Sequence, residues 1–341
     1  MPSLNSGKVL VTGANGYIAV WIVKTMLEAG FSVRGTVRSA SKADHLRNLF
    51  KSFGDKFEVV VVPDITNAES FTEYVKDVDA IAHTASPFHM NAIEPDELII
   101  PAVEGTLSVL KAAEAHGPSV KRVIVLSSTA AVLGPYSGTP LDESHWNQDS
   151  IDEVKAKGRD AANHMKYRAS KTLAERAAWE WYEERKSKLG WDLVALNPPF
   201  VFGPFLHEVA SPEQLNTSAH DWYFNIVKGK LSPDGYVNGG ACWVDVRDIA
   251  TAHALALKTE AAAGRFIVAA GAFKWQDFAT PAHAIDAKVP EGNPSAYDPS
   301  TVQHGVVYNS TKSKSVLGLK YHTVEETTKD TLQDFEIRGW L

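Results

Sequence analysis

A short apolar run, Val9 to Thr12, stops at Gly13-Ala14-Asn15-Gly16 and passes straight into a helical pattern from Tyr17 to Ala29, which ends at Gly30. A β-branched run with no polar alternation reads as a strand buried on both faces, and such strands belong to parallel sheets. The first half of the chain repeats the pattern. Phe31 to Val37, Phe57 to Val62, Ala80 to Thr84 and Arg122 to Ser127 read as strands. Between them lie helical stretches at Ala43 to Phe53, Ser70 to Val75 and Glu97 to His116. Parallel strands alternating with helices, joined by right-handed crossovers, predict an α/β fold with a doubly wound parallel sheet, the Rossmann fold.

The pattern loosens in a polar, turn-rich insertion, Gly134 to Asn163. A helix from Tyr167 to Lys188 and a strand from Asp192 to Asn197 follow. Beyond Pro198 the signals are short and scattered. Phe205 to Gly240 reads as turn-rich, Gly264 to Ala269 as a strand and Val324 to Arg338 as a terminal helix. The expected division is a Rossmann domain over 1–198 and, over 199–341, mainly a smaller lobe and lid, with the chain expected to return partly to the first domain.

Of the 341 residues 44% are hydrophobic and 22% charged, an ordinary globular balance. The net charge of −7 provides no basic field, so nucleic acid is not expected as a partner. No run approaches the apolar length of a membrane span, and no signal peptide is read, which points to the cytoplasm. The single cysteine, Cys242, has no internal partner and is expected to pack as a small hydrophobe. Twelve histidines include no metal-binding spacing, so no metal is expected. His83 and His116 read as packing or surface residues and His89 as a loop residue. Trp179, Trp181 and Tyr182 read as helix packing against the core or a partner subunit, leaving monomer and homodimer both open.

The glycine turn reads as a phosphate-binding device; the alternative is a plain βα turn. Gly13 permits the tight turn, Gly16 lets the backbone approach a pyrophosphate, and Ala19 lets the helix pack closely on the strand. Free N–H groups and the dipole at the helix start favour the anion. The end of the second strand discriminates between cofactors. An NAD site places an acid there, whereas this chain has Arg38 and, one turn later, Lys42. A guanidinium beside an ammonium suits the 2′-phosphate of NADPH; the alternative is two solvated charges. Asp64 could accept from the adenine amino group or simply cap the next helix.

Tyr167 and Lys171 stand one helical turn apart and so share a face. A phenol with pKa near 10 is a poor acid at neutral pH, and a neighbouring ammonium is expected to lower that value. The tuned phenol can protonate an alkoxide as hydride reaches a carbonyl carbon. Lys171 can also hold the nicotinamide ribose. Ser128, at the end of the fifth strand, can donate to the carbonyl oxygen.

These residues carry a resemblance. The chain resembles the extended short-chain dehydrogenases/reductases, and among them the fungal NADPH-dependent carbonyl reductases of the methylglyoxal and 3-methylbutanal type. The plant dihydroflavonol reductases are more distantly similar. The matching runs are 12–19, Val-Pro-Asp-Ile (62–65), His-Thr-Ala-Ser-Pro-Phe (83–88), Ser-Ser-Thr-Ala-Ala-Val (127–132) and Tyr-Arg-Ala-Ser-Lys (167–171). They continue through Asn-Pro-Pro-Phe-Val-Phe-Gly-Pro (197–204), Leu-Asn-Thr-Ser (215–218) and Trp-Val-Asp-Val-Arg-Asp (243–248). The resemblance implies NADPH as cofactor and Ser128, Tyr167 and Lys171 as the catalytic set. Gly13, Asn15, Gly16, Tyr17, Ile18, Ile65, Thr84, Ala85, Ser86, Pro198 and Val201 would lie along the cofactor with Arg38, Lys42 and Asp64. Phe88, Leu133 and Phe200 would line the substrate pocket with Ser128. Leu133 departs from the pattern, which has an aromatic there, and should widen the pocket.

The expected activity is NADPH-dependent reduction of aldehydes and ketones such as methylglyoxal, branched aldehydes, aryl ketones and keto esters. Alternatives share the fold: a dihydroflavonol or 3β-hydroxysteroid-type reductase, a nucleotide-sugar epimerase or dehydratase, and a non-catalytic NADP-sensing binder. An epimerase usually retains NAD, which Arg38 and Lys42 oppose. A sensor has no use for Tyr167 and Lys171.

Overall fold

The computed structural model describes residues 3–86, 91–135 and 137–341. In chain order the elements begin with β1 (Lys8–Thr12), α1 (Tyr17–Glu28), β2 (Ser32–Val37), α2 (Ala43–Leu49), β3 (Phe57–Val61) and β4 (Ala80–His83). They continue with α3 (Asp96–His116), β5 (Arg122–Leu126), α4 (Gln148–Lys157), α5 (Asn163–Arg185), β6 (Asp192–Asn197) and β7 (Phe200–Phe202). The last part comprises α6 (Thr217–Trp222), α7 (Pro233–Asn238), β8 (Gly240–Asp245), α8 (Val246–Lys258), β9 (Gly264–Ile267) and β10 (Gly271–Lys274), then α9 (Trp275–Ile285), α10 (Thr311–Leu317) and α11 (Val324–Ile337).

Among the described residues the strands form two sheets. The larger has seven parallel strands in the order β3-β2-β1-β4-β5-β6-β9. Its central strands are continuous apolar runs, and Leu10, Val11, Ile81, Val123, Ile124 and Val194 are fully buried, as a sheet covered on both faces requires. Strand order reverses between β1 and β4, and ligands of open α/β sheets bind at the carboxyl ends beside that switch. The smaller sheet has the order β10-β8-β7, with β7 and β8 parallel and β8 and β10 antiparallel.

The chain after Pro198 contributes to both sheets: β9 pairs with β6 in the larger one, while β7, β8 and β10 make the smaller. Several elements differ from the sequence reading. The insertion at 134–163 contains α4, started by Asn147, whose side chain accepts from the Ser150 N–H. The short helix read at Ser70 to Val75 is a 3-10 turn over Ala68–Phe71. The turn-rich stretch 205–240 holds α6 and α7, and α8, α9 and α10 were unread. Strands of three to six residues between prolines and glycines are too short to show a period, and that is why β7, β8 and β10 were missed. Among the described residues no helix is long and apolar enough to cross a membrane.

Candidate active site

Thr12 ends β1 and ties it to the end of β4. Its hydroxyl accepts from the backbone N–H groups of Thr84 and Ala85 at 3.0 and 3.1 Å and lies 3.0 Å from His83 Nδ1. Thr84 donates in turn to the Thr12 carbonyl. The two strand ends therefore form one rim. Gly13 follows with φ +66°, and a Cβ there would lie 3.1 Å from both Cα and Cβ of Ala85. Only glycine fits a position that combines a left-handed backbone with so close an approach. Helix α1 then starts at Gly16 with no side-chain cap, leaving its first N–H groups open to the groove.

The groove holds two adjoining cavities. One, of about 580 Å³, is lined by Gly13, Asn15, Gly16, Arg38, Asp64, Ile65, Thr84, Ala85 and Ser86. The other, of about 250 Å³, is lined by Gly13, Gly16, Tyr17, Ile18, Thr84 and Ser86, then by Ser128, Tyr167, Lys171, Pro198 and Val201. Asn216 also lines the second, and its Oδ1 is buried without a hydrogen-bond partner among the described residues. A long groove with free helical N–H groups at its middle, an exposed guanidinium at one end and an orphan amide oxygen at the other fits a dinucleotide.

Arg38 is exposed and sits close enough to Asp64 to help hold that carboxyl below its ordinary range. The larger cause is the pair of bonds Asp64 accepts from the Thr66 hydroxyl and N–H. Lys42, expected beside Arg38, lines neither cavity. It ends a 3-10 turn, and its ammonium faces Glu208 at 3.8 Å. Tyr17 lines the groove, but its hydroxyl donates to the Gly203 carbonyl at 2.9 Å and its ring packs on Phe205.

Tyr167 and Lys171 lie about one and two turns into α5, which begins at Asn163, earlier than read. Ser128 leaves β5 in extended conformation, and its Oγ accepts from the Ala130 N–H at 3.1 Å. It is hydrogen-bonded to the Tyr167 phenol. Burial raises the phenol's pKa, and the Ser128 bond only partly offsets it. This corrects the expectation that the lysine charge would dominate. The cleft desolvates both groups, so Lys171 is itself pushed down to about 8 by burial, against the pull of Glu175 one turn further on. The phenol therefore keeps its proton at neutral pH.

Glu175 is a residue that the sequence reading did not single out. It is buried, and it accepts from Ser127 Oγ at 2.5 Å, Asn197 Nδ2 at 2.7 Å and Arg265 Nε at 2.6 Å. These bonds fix α5 to the ends of β5 and β6 and to β9. Their only sequence signal is an acid on the buried face of a helix.

A third cavity, of about 260 Å³, opens on the other side of Ser128 and Tyr167. Leu133 and Phe200 line it; Phe88 lies outside the described residues. Its other walls were not foreseen: His164 and Arg168 from α5, Thr217 and Ser218 from α6, Cys242 from β8, and Val306 and Tyr308. The Thr-Ser pair stands in the Leu-Asn-Thr-Ser run that carried the resemblance. Cys242 donates to the Val306 carbonyl at 3.4 Å and burial pushes its thiol up to about 11, so it behaves as a small neutral wall residue.

The chain belongs to the NAD dependent epimerase/dehydratase family, which it matches over residues 9–270, and within it to the extended short-chain dehydrogenases/reductases. It is 35% identical over 344 residues to the NADPH-dependent methylglyoxal reductase GRE2 of Saccharomyces cerevisiae, covering 95% of this chain and 96% of that one. It is 34% identical to the ketoreductase azaE of Aspergillus niger, with the same coverage. The crystal structure of yeast methylglyoxal/isovaleraldehyde reductase complexed with NADPH superposes with a TM-score of 0.85 at 31% identity, covering 98% of this chain and 100% of that one.

Proposed function

We propose that this chain is an NADPH-dependent carbonyl reductase that converts aldehydes and ketones to alcohols. One observation carries the reading. The dinucleotide groove and the third cavity meet at a single point, and the side chains shared between them include Ser128 and Tyr167. A carbonyl in the third cavity is thereby brought to the end of the groove.

NADPH bound along the groove would supply the hydride. Arg38 would hold its 2′-phosphate and the α1 N-terminus its pyrophosphate. Lys171 would hold the nicotinamide ribose. Ser128 donates its hydroxyl proton in a hydrogen bond to the carbonyl oxygen, which orients it and stabilises charge growing there. Tyr167, protonated at neutral pH, transfers its proton to that oxygen as the C–H bond forms, and the phenolate left behind is stabilised by the Lys171 ammonium. Residues 199–341 contribute the far wall of the substrate cavity, and small carbonyl compounds suit its volume.

The test is NADPH oxidation, with NADH in parallel, against methylglyoxal, a branched aldehyde, an aryl ketone and a β-keto ester. Turnover should be much faster with NADPH. Tyr167→Phe should lower kcat by about 10³-fold and leave the Kd for NADPH within about threefold. Full activity in that variant would falsify the mechanism.

A further inference from the structure

We infer that the substrate cavity carries a binding subsite for an anionic group, centred on Arg168, so that the preferred substrates are carbonyl compounds bearing a carboxylate. This deepens the reductase reading and rests on it.

Arg168 immediately follows the proton donor in Tyr-Arg-Ala-Ser-Lys, and it lines the third cavity together with Tyr167. It is half-buried and makes no ion pair among the described residues; among them its guanidinium has one hydrogen-bond contact, a weak one of 3.7 Å to Met165 Sδ. A guanidinium drawn partly out of water without a carboxylate loses hydration and gains nothing in return, unless a ligand supplies the anion.

Buried and half-buried arginines elsewhere have partners among the described residues. Arg34 binds Glu58 and Asp77, Arg122 binds Asp192, Arg247 binds Asp245 and Asp330, and Arg265 binds Glu175. Arg176 has no carboxylate, but it donates to the Gln148 amide oxygen and lies over the Trp146 ring. The Arg168 guanidinium has neither a carboxylate, an amide nor a ring among the described residues, and it lies in a cavity. Among the described residues no aspartate or glutamate lines that cavity, while His164, one turn earlier on the same helix, adds a second side-chain nitrogen. The polar groups of the opposite wall cannot serve as counterions. Tyr308 lies within electrostatic reach of Arg168, yet burial pushes its phenol up to about 12, and the Cys242 thiol is likewise neutral.

The cofactor does not account for Arg168 either. It lines neither part of the dinucleotide groove, whose phosphate-facing charge, Arg38, is in the cavity at the far end. The planar fork of a guanidinium matches a carboxylate bidentately, and the rest of the cavity, with Leu133, Pro199, Phe200 and Val306, accepts an apolar body. The ligand that fits is a small aryl or alkyl ketone with a carboxylate a few bonds from the carbonyl.

The experiment compares aryl ketones bearing a carboxylate two or three carbons from the carbonyl with their methyl esters, in the full-length chain. The ratio of kcat/KM for acid over ester should be about tenfold or more, and Arg168→Gln should bring it close to one, while Arg168→Lys retains part of it. A wild-type preference for the ester, or an Arg168→Gln ratio unchanged from wild type, overturns the subsite and leaves the reductase reading standing. Binding of benzoate, followed by tryptophan fluorescence with NADPH present, gives a readout free of turnover. Benzoate binding that weakens about tenfold in Arg168→Gln upholds the subsite even if no ketone is reduced, in which case the reductase reading falls instead. Failure of the wild-type protein to bind benzoate overturns the subsite. Helical circular dichroism and the melting temperature of Arg168→Gln confirm that the variant is folded.

Discussion

Lys171 shows most plainly what the site costs the fold. Burial holds its folded pKa at about 8, below its ordinary 10.5, so below pH 8 the protein carries an ammonium in a partly dehydrated cleft. A base with a depressed folded pKa destabilises the folded state while it is charged, and that penalty is relieved as pH rises from about 8 towards the unfolded value. Lys171→Met should therefore raise the melting temperature by about 2 °C at pH 7 while abolishing turnover. The gain should shrink between pH 8 and 10.5. A variant less stable than the parent at pH 7 would show that the lysine is held by more than the cofactor site needs.

At the scale of elements, α5 is the part on which the site depends, since it supplies Tyr167, Arg168, Lys171 and Glu175 from successive turns. Its inner face is set by Ala169, Thr172, Ala174 and Ala178, small residues that let it lie close against its neighbours, and by the larger Trp181. Trp181 stacks on Trp191 at 5.9 Å with the planes 9° apart, which assigns part of the aromatic cluster read from the sequence to the core. The Glu175–Arg265 pair, with side-chain exposures of 1% and 9%, joins this helix to β9. Arg265 is in turn held by the carbonyls of Glu143 and His145 and lies 3.7 Å from the Trp146 ring. Removing the acid leaves a buried guanidinium uncompensated. Glu175→Ala should cost about 3–5 kcal/mol, read as a lower urea midpoint at unchanged slope. A loss under about 1 kcal/mol would mean that solvent reaches the pair.

At the scale of the whole molecule, the run Trp-Val-Asp-Val-Arg-Asp acts as a lock between distant segments. Asp245 accepts from the Arg247 N–H at the start of α8 and from Thr327 of α11, and Arg247 reaches Asp330 of the same helix. Asp248 receives both the backbone N–H and the Nδ1 of His322, at 3.0 and 2.5 Å. The Asp248 bond raises the pKa of His322 above its ordinary 6.5, with burial opposing. A base whose folded pKa is raised binds its proton more tightly when folded. That stabilisation is complete below the unfolded value and is lost as pH rises through the raised one. His322→Gln should melt about 2 °C below the parent at pH 6, a small gap because the ring is partly solvated, and the gap should close by pH 9. A gap that is constant with pH, or that widens, would show that the histidine acts through packing alone.

What the sequence determined by itself was local. Continuous apolar strands between helical periods gave the parallel sheet, Gly13 and Gly16 gave the tight turn from β1 into α1, and one helical turn between Tyr167 and Lys171 put them on one face, because each signal lies within a few residues of chain. Tertiary structure decided what depends on pairs far apart in sequence. It set Lys42 within 3.8 Å of Glu208, let burial outweigh the lysine charge at Tyr167, and brought Cys242, Val306 and Tyr308 into one cavity with Arg168. It also joined Glu175 to Arg265 across the site. Those outcomes follow from which side chains lose water together, and neither composition nor periodicity records that.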